Sequence, residues 1–132
     1  MEKTNVSVYL TLAGKSFDVD YVTRKIGIAP TFTRSKDEVL GNGRLFGHTE
    51  WGIGIEEEIS LDIEKQLNKI LLMVHDEASI LSSLSNELGA EWHFMFVVRI
   101  WDGVVPSMFL SKEFISFAAG ICAQIDFDTY VF

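Results

Sequence analysis

Val6, Val8, Leu10 and Leu12 alternate with Ser7, Tyr9 and Thr11, the period-two pattern of a half-buried strand. At Phe17-Asp18 the pattern changes to a helix. Asp18 is placed as its N-cap, Phe17 and Val22 as a hydrophobic staple, and Val19, Val22 and Ile26 share one face. Gly27 supplies a left-handed end, and Pro30 returns the chain to extended backbone. From Thr31 to Phe46 no period is visible, and Gly41, Asn42, Gly43 and Gly47 break the chain. A loop this long is either a lid or the cover of a short strand. Trp51, Ile53 and Ile55 then alternate with Gly52, Gly54 and Glu56, a second strand. Ser60 is expected to cap a helix with the apolar stripe Ile63, Leu67, Ile70, Leu71 and Val74. Asp76 or Ser79 opens a short helix carrying Leu81, Leu84 and Leu88, closed by Gly89.

The clearest strand runs from Glu91 to Asp102. Trp92, Phe94, Phe96, Val98 and Ile100 form a wholly apolar face, and Glu91, His93, Met95, Val97, Arg99 and Trp101 a mixed one. One face against helices and one face open produces this pattern. Gly103 and Pro106 bracket a turn, after which Met108–Leu110 reads as a brief strand. Ser111 caps the last helix, with Leu110 and Ile115 as its staple. Gly120 ends it, and Ile121–Val131 is extended. Phe17, Val22, Ile26, Gly27 and Ile28 correspond to Leu110, Ile115, Ala119, Gly120 and Ile121 at a constant offset of 93. Either a βαβ-like unit is pseudo-duplicated, or two ordinary capped helices happen to end in glycine. Both readings lead to one α+β domain over 1–132. It is a two-layer sandwich with a mostly antiparallel or mixed sheet and its helices on one face.

Composition narrows the function classes. At 132 residues, 48% hydrophobic and 12% aromatic, the chain has the makings of a core without disulfide or metal. Its formal net charge of −8 opposes binding to a nucleic-acid backbone. The lone Cys122 excludes an internal disulfide and suits a reducing compartment. With no secretory pattern in the first residues and no apolar run of membrane length, a cytoplasmic location away from membranes is expected. The charge is uneven: residues 1–44 carry seven basic and five acidic groups, residues 45–132 four basic and fourteen acidic. An acidic body of this kind steers cationic partners, and it also serves plain solubility.

The order of features resembles a bacterial family known as domain of unknown function 4279. The residues that carry the resemblance are Asp18–Ile26 leading into Gly27-Ile28-Ala29-Pro30-Thr31, then Gly43, Trp51 and the helix around Ile63–Leu71. A final helix–Gly–strand unit ends at Ile125-Asp126-Phe127-Asp128-Thr129-Tyr130. The resemblance covers nearly the whole chain. It departs after Pro30, where Arg34, Lys36 and Arg44 are scattered in place of an Arg-Lys-Gly run. It implies a small α+β domain, some relatives of which occur beside toxin genes and look like immunity proteins, and it brings no catalytic residues.

No local signature supplies chemistry. His48, His75, His93 and Cys122 lack metal-site spacing, so neither a metal nor a cofactor is expected. Ser82, Ser83 and Ser85 read as the polar side of a helix, without a base beside them. Gly41, Gly43 and Gly47 lack the spacing and the strand–helix context of a dinucleotide loop. Glu56-Glu57-Glu58 suits the start of a helix. The candidate surface is the open sheet face: Tyr9, His93, Met95, Arg99 and Trp101, with Asp126, Asp128 and Tyr130. Aromatic, Met and Arg residues together are enriched in interface cores; the competing reading is a second small core beneath another layer or the 31–50 loop. The leading functional expectation is a non-enzymatic protein-binding domain of immunity type, acting on a cationic, toxin-like protein, with monomer and homodimer both open. The alternatives are a small-molecule sensor domain, or an enzyme that assembles His93, Arg99 and Asp128 in space.

Overall fold

The structure, a computed structural model, describes residues 2–39, 41–59 and 61–132, without the side chains of 56–59. Strand β1 spans Asn5–Gly14 and buries Val6, Val8, Leu10 and Leu12 completely; Asn5, Ser7 and Thr11 on its other face are buried as well, so this central strand is buried more deeply than a half-buried pattern requires. Helix α1 (Val19–Ile26) starts at Asp18, whose carboxylate accepts the backbone N–H groups of Asp20 and Tyr21. It stops at Gly27, where φ is +77°. Only a residue without Cβ adopts that angle at little cost.

Strand β2 (Phe32–Arg34) is the short strand inside the 31–46 segment, so this segment begins as an added strand, not a lid. Strand β3 (Thr49–Ile59) follows, then helices α2 (Ile63–Val74) and α3 (Ala78–Leu88). Strand β4 spans Glu91–Ile100, helix α4 Lys112–Gly120 and strand β5 Gln124–Val131. The sheet order is β2-β3-β1-β4-β5. Every neighbouring pair is antiparallel except β4–β5, which is parallel because α4 crosses between them. The fold is α+β with a mixed, mostly antiparallel open sheet.

The apolar rows of β1, β3 and β4 meet the helices. Trp51, Trp92, Phe94 and Phe96 are completely buried beside Leu67, Ile70, Leu81 and Phe114. The large rings pack edge to face, Trp51 against Trp92 at 6.0 Å and Phe94 against Phe114 at 4.8 Å. Both indoles keep a partner inside: Trp92 Nε1 donates to Leu81 O at 2.7 Å, and Trp51 Nε1 to Thr23 Oγ1 at 2.9 Å. A buried N–H left unpaired would cost about 1–3 kcal/mol.

Several local expectations are corrected. The N-cap of α2 is Asp62, which accepts the Glu64 N–H; Ser60 lies outside the described residues. Glu56, Glu57 and Glu58 belong to the backbone of β3, not to a helix start, and their side chains lie outside the described residues. Helix α3 begins after Glu77 without a side-chain cap, so neither Asp76 nor Ser79 opens it. Met108–Leu110 is not a strand. Among the described residues only Ser107 pairs there, in a bridge to Asp62, and Met108 and Phe109 are exposed.

Ser111 does cap α4, accepting the Phe114 N–H at 3.1 Å, yet Ile115 is half exposed and the anchoring residue is the buried Phe114. Gly120 is the last helical residue; the left-handed turn falls on Cys122, with φ +56°. The two strand–helix units therefore agree in direction but not in their glycines. β2 runs parallel to β1 with β3 between them, whereas β5 lies directly beside β4.

Candidate functional site on the open sheet face

Strand registry assembles the open face row by row. Met95 faces Tyr9 on one side and Asp126 on the other; His93 faces Thr11 and Gln124. Across β3, Tyr9 stands opposite Gly54, Thr11 opposite Gly52, and Gly52 in turn opposite Phe32. The two glycines make room for rings. A Cβ at Gly54 would collide with the Tyr9 ring and one at Gly52 with the Phe32 ring, so both aromatics lie down over β3. They meet edge to face with centroids 6.0 Å apart.

The result is an open groove of about 550 Å³. Tyr9, Phe32, Met95, Thr11 and Ala13 form its largely apolar floor and wall. Two polar pairs stand at opposite sides: His48 Nε2 lies 3.8 Å from Glu50 Oε1, and His93 Nδ1 lies 3.5 Å from Asp126 Oδ2. Glu91 Oε2 is 3.9 Å from the other nitrogen of His93. A carboxylate beside each imidazole, with no Lys or Arg among the described lining residues, makes the rim acidic.

A family model described as Domain of unknown function (DUF4279) matches residues 2–132. The chain belongs to the DUF4279 family. Comparison with curated protein sequences and with solved structures finds no match. Every residue of the groove lies within the DUF4279 span.

The far end of the same face is organised around Arg99. Its guanidinium donates to Asn5 Oδ1 at 3.1 Å and to Ser7 Oγ at 3.5 Å, and both partners are buried. Tyr130, opposite Arg99 in the register, donates its hydroxyl to Asp128 Oδ2 at 2.9 Å. That hydrogen bond, aided by the charge of Asp128, pushes the Tyr130 hydroxyl above its ordinary range, with Arg99 opposing. Trp101 lies beyond the end of β4. Its indole stacks on the Phe132 ring at 4.3 Å, and its backbone N–H donates to Thr4 Oγ1.

Of the candidate residues, then, Tyr9, His93, Met95 and Asp126 share the groove, while Arg99, Asp128 and Tyr130 form a separate group and Trp101 a third. The proposed His93–Arg99–Asp128 set does not come together. His93 and Arg99 are six residues apart on one strand, about 20 Å at strand rise, and the carboxylate beside His93 belongs to Asp126. Phe32, His48 and Glu50 were not among the candidates. Phe32 and Glu50 reach the groove through β2–β3 pairing and His48 from the residue just before β3, placements that the local pattern of 31–50 does not encode. No helix or strand layer covers this face among the described residues, and Tyr9, His93, Met95 and Val97 are half-buried, Tyr9 against Phe32 of β2. Among the described residues no group of three or more His, Cys, Asp or Glu could hold a metal ion. No described helix is long and apolar enough to cross a membrane.

Proposed function

We propose that this chain is a protein-binding domain of immunity type, whose open sheet face takes a cationic segment of a partner protein. The observation that supports it is the groove itself: an aromatic and Met floor rimmed by Glu50 and Asp126, on a chain of net charge −8. Tyr and Phe faces attract a guanidinium or ammonium group, and the flanking carboxylates pair with it. An inhibitor of this kind needs a rigid complementary patch and no catalytic group. The resemblance to a family some of whose relatives look like immunity proteins points the same way.

The test is affinity capture from the native host, followed by titration of the purified partner against variants. Met95→Ala is expected to weaken binding by about 2 kcal/mol, roughly thirtyfold. Asp126→Asn is expected mainly to slow association and flatten its salt dependence. A partner that binds both variants like wild type sinks the assignment of the groove. A second reading, a small-molecule sensor, draws on the groove volume, which falls in the range of about 300–1,000 Å³ common to ligand sites. A small cationic ligand that saturates the groove and leaves no protein partner in the capture experiment would favour it.

A further inference from the structure

The sheet has two unequal edges. β2 has three residues, whereas β5 presents eight, and no described strand pairs its outer side. The Phe132 N–H donates to Ile100 O on β4 at 2.9 Å. In a parallel pair the backbone groups alternate in direction, so the N–H and C=O of Ile125, Phe127, Thr129 and Val131 point away from β4. Long edges of this kind are templates for another strand.

The side chains of β5 say what kind of strand fits. Asp126 and Asp128 are on the open face. On the helix face Phe127 stacks on Phe96 at 4.9 Å yet stays 44% exposed, and Val131 is 74% exposed. A second copy of β5 laid antiparallel alongside would bring Asp126 and Asp128 towards their own counterparts, and like charges across a pair are unfavourable. We propose that the β5 edge accepts an extended segment of another protein in which basic and apolar residues alternate. Its basic side chains meet Asp126 and Asp128, its apolar ones cover Phe127 and Val131, and its backbone continues the ladder. This surface shares Asp126 with the groove, but its ladder hydrogen bonds are its own, so the N-methylated peptide tests it independently of the groove.

The probe is an eight-residue peptide of alternating Lys and Val, with two controls: the same peptide N-methylated at alternate residues, and a Glu/Val counterpart. Amide hydrogen exchange and NMR titration of the full chain give the readout. Binding is expected to protect the amides of Phe127, Thr129 and Val131, to be lost with the N-methylated peptide, and to be absent with the Glu/Val peptide. Asp126→Asn together with Asp128→Asn should weaken it by about tenfold or more. Thr129→Pro removes one outward donor while leaving the β4 ladder intact, a tolerated place for proline at an edge, and it should abolish binding with the thermal midpoint retained. If that variant fails to fold, the N-methylated peptide removes the same hydrogen bonds from the other side. Equal binding of the Glu/Val peptide, or no protection of the three amides, overturns the proposal. So does protection that appears without peptide and rises with protein concentration, which would make the occupant a second copy.

Discussion

The ring of Phe32 occupies the space that a side chain at position 52 would need. Gly52 is therefore what lets Phe32 lie in the groove wall. Gly52→Ala is expected to displace Phe32 and cost about 1–3 kcal/mol, the range for inserting volume into a packed site. Adding Phe32→Ala should recover much of that loss, because the clash disappears with the ring. Urea midpoints of the two single variants and the double variant check the coupling; simple additivity would show that the ring does not depend on the glycine.

The ends of α1 and α4 give opposite expectations for two glycines that look alike in sequence. Gly27→Ala should cost about 1 kcal/mol because it forces a Cβ into a left-handed residue. Gly120 is helical and has open space around it, so Gly120→Ala should stabilise by about 0.5–1 kcal/mol. Ser111→Ala should cost about 1 kcal/mol through the lost cap on Phe114. Denaturation midpoints moving the same way for both glycines would contradict the assigned helix ends.

Tyr21 on α1 donates its hydroxyl to both carboxylate oxygens of Glu87 on α3, at 2.7 and 2.9 Å. This hydrogen bond, with some desolvation and the charge of Glu87, raises the Tyr21 hydroxyl above its ordinary value of 10.0, opposed by Arg24. A pKa raised on folding gives stability that is fully present below the unfolded value and is lost as pH rises through the folded one. Tyr21→Phe should thus be less stable than wild type at neutral pH, with the gap closing above about pH 10. A gap that stays constant from pH 7 to 11 would mean the hydrogen bond contributes nothing.

Trp101 tests the separateness of the groove. Its ring rests on Phe132 and away from Tyr9 and Met95. Trp101→Ala should leave the affinity of a groove partner within about twofold, under 0.5 kcal/mol. A thirtyfold loss would move the binding surface to the 101–104 end.

Where a long segment carries a strict period, sequence and structure agree. β1 and β4 are visible because each carries a strictly alternating apolar row that the structure buries completely or nearly so. α1 is visible because Asp18 and Gly27 mark its two ends with side-chain chemistry. β2 has too few residues for a period; α3 is visible from Leu81, Leu84 and the closing Gly89, but its first residue is not, because no side chain caps it. Met108 and Phe109 look like strand residues, yet among the described residues only Ser107 finds a partner there. The candidate site was half legible for the same reason. Alternation reveals that His93 and Met95 share a face, but Asp126 as the neighbour of His93 follows from the parallel register imposed by α4, and the place of His48 from the hydrogen bonds that bring Phe46 back to Asp37 and Glu38.

The central position of β1 has a consequence for synthesis. Asn5 pairs with Ile59 on one side and with Arg99 on the other. A ribosome adding about 5–20 residues per second leaves an interval of roughly 2–8 s between the emergence of those two partners. Throughout that interval one side of an apolar strand stands unmatched, exposed to chaperones and to neighbouring chains. Pairings this distant in sequence also slow refolding from denaturant. The nascent chain is therefore most vulnerable to aggregation after β3 has formed and before β4 arrives.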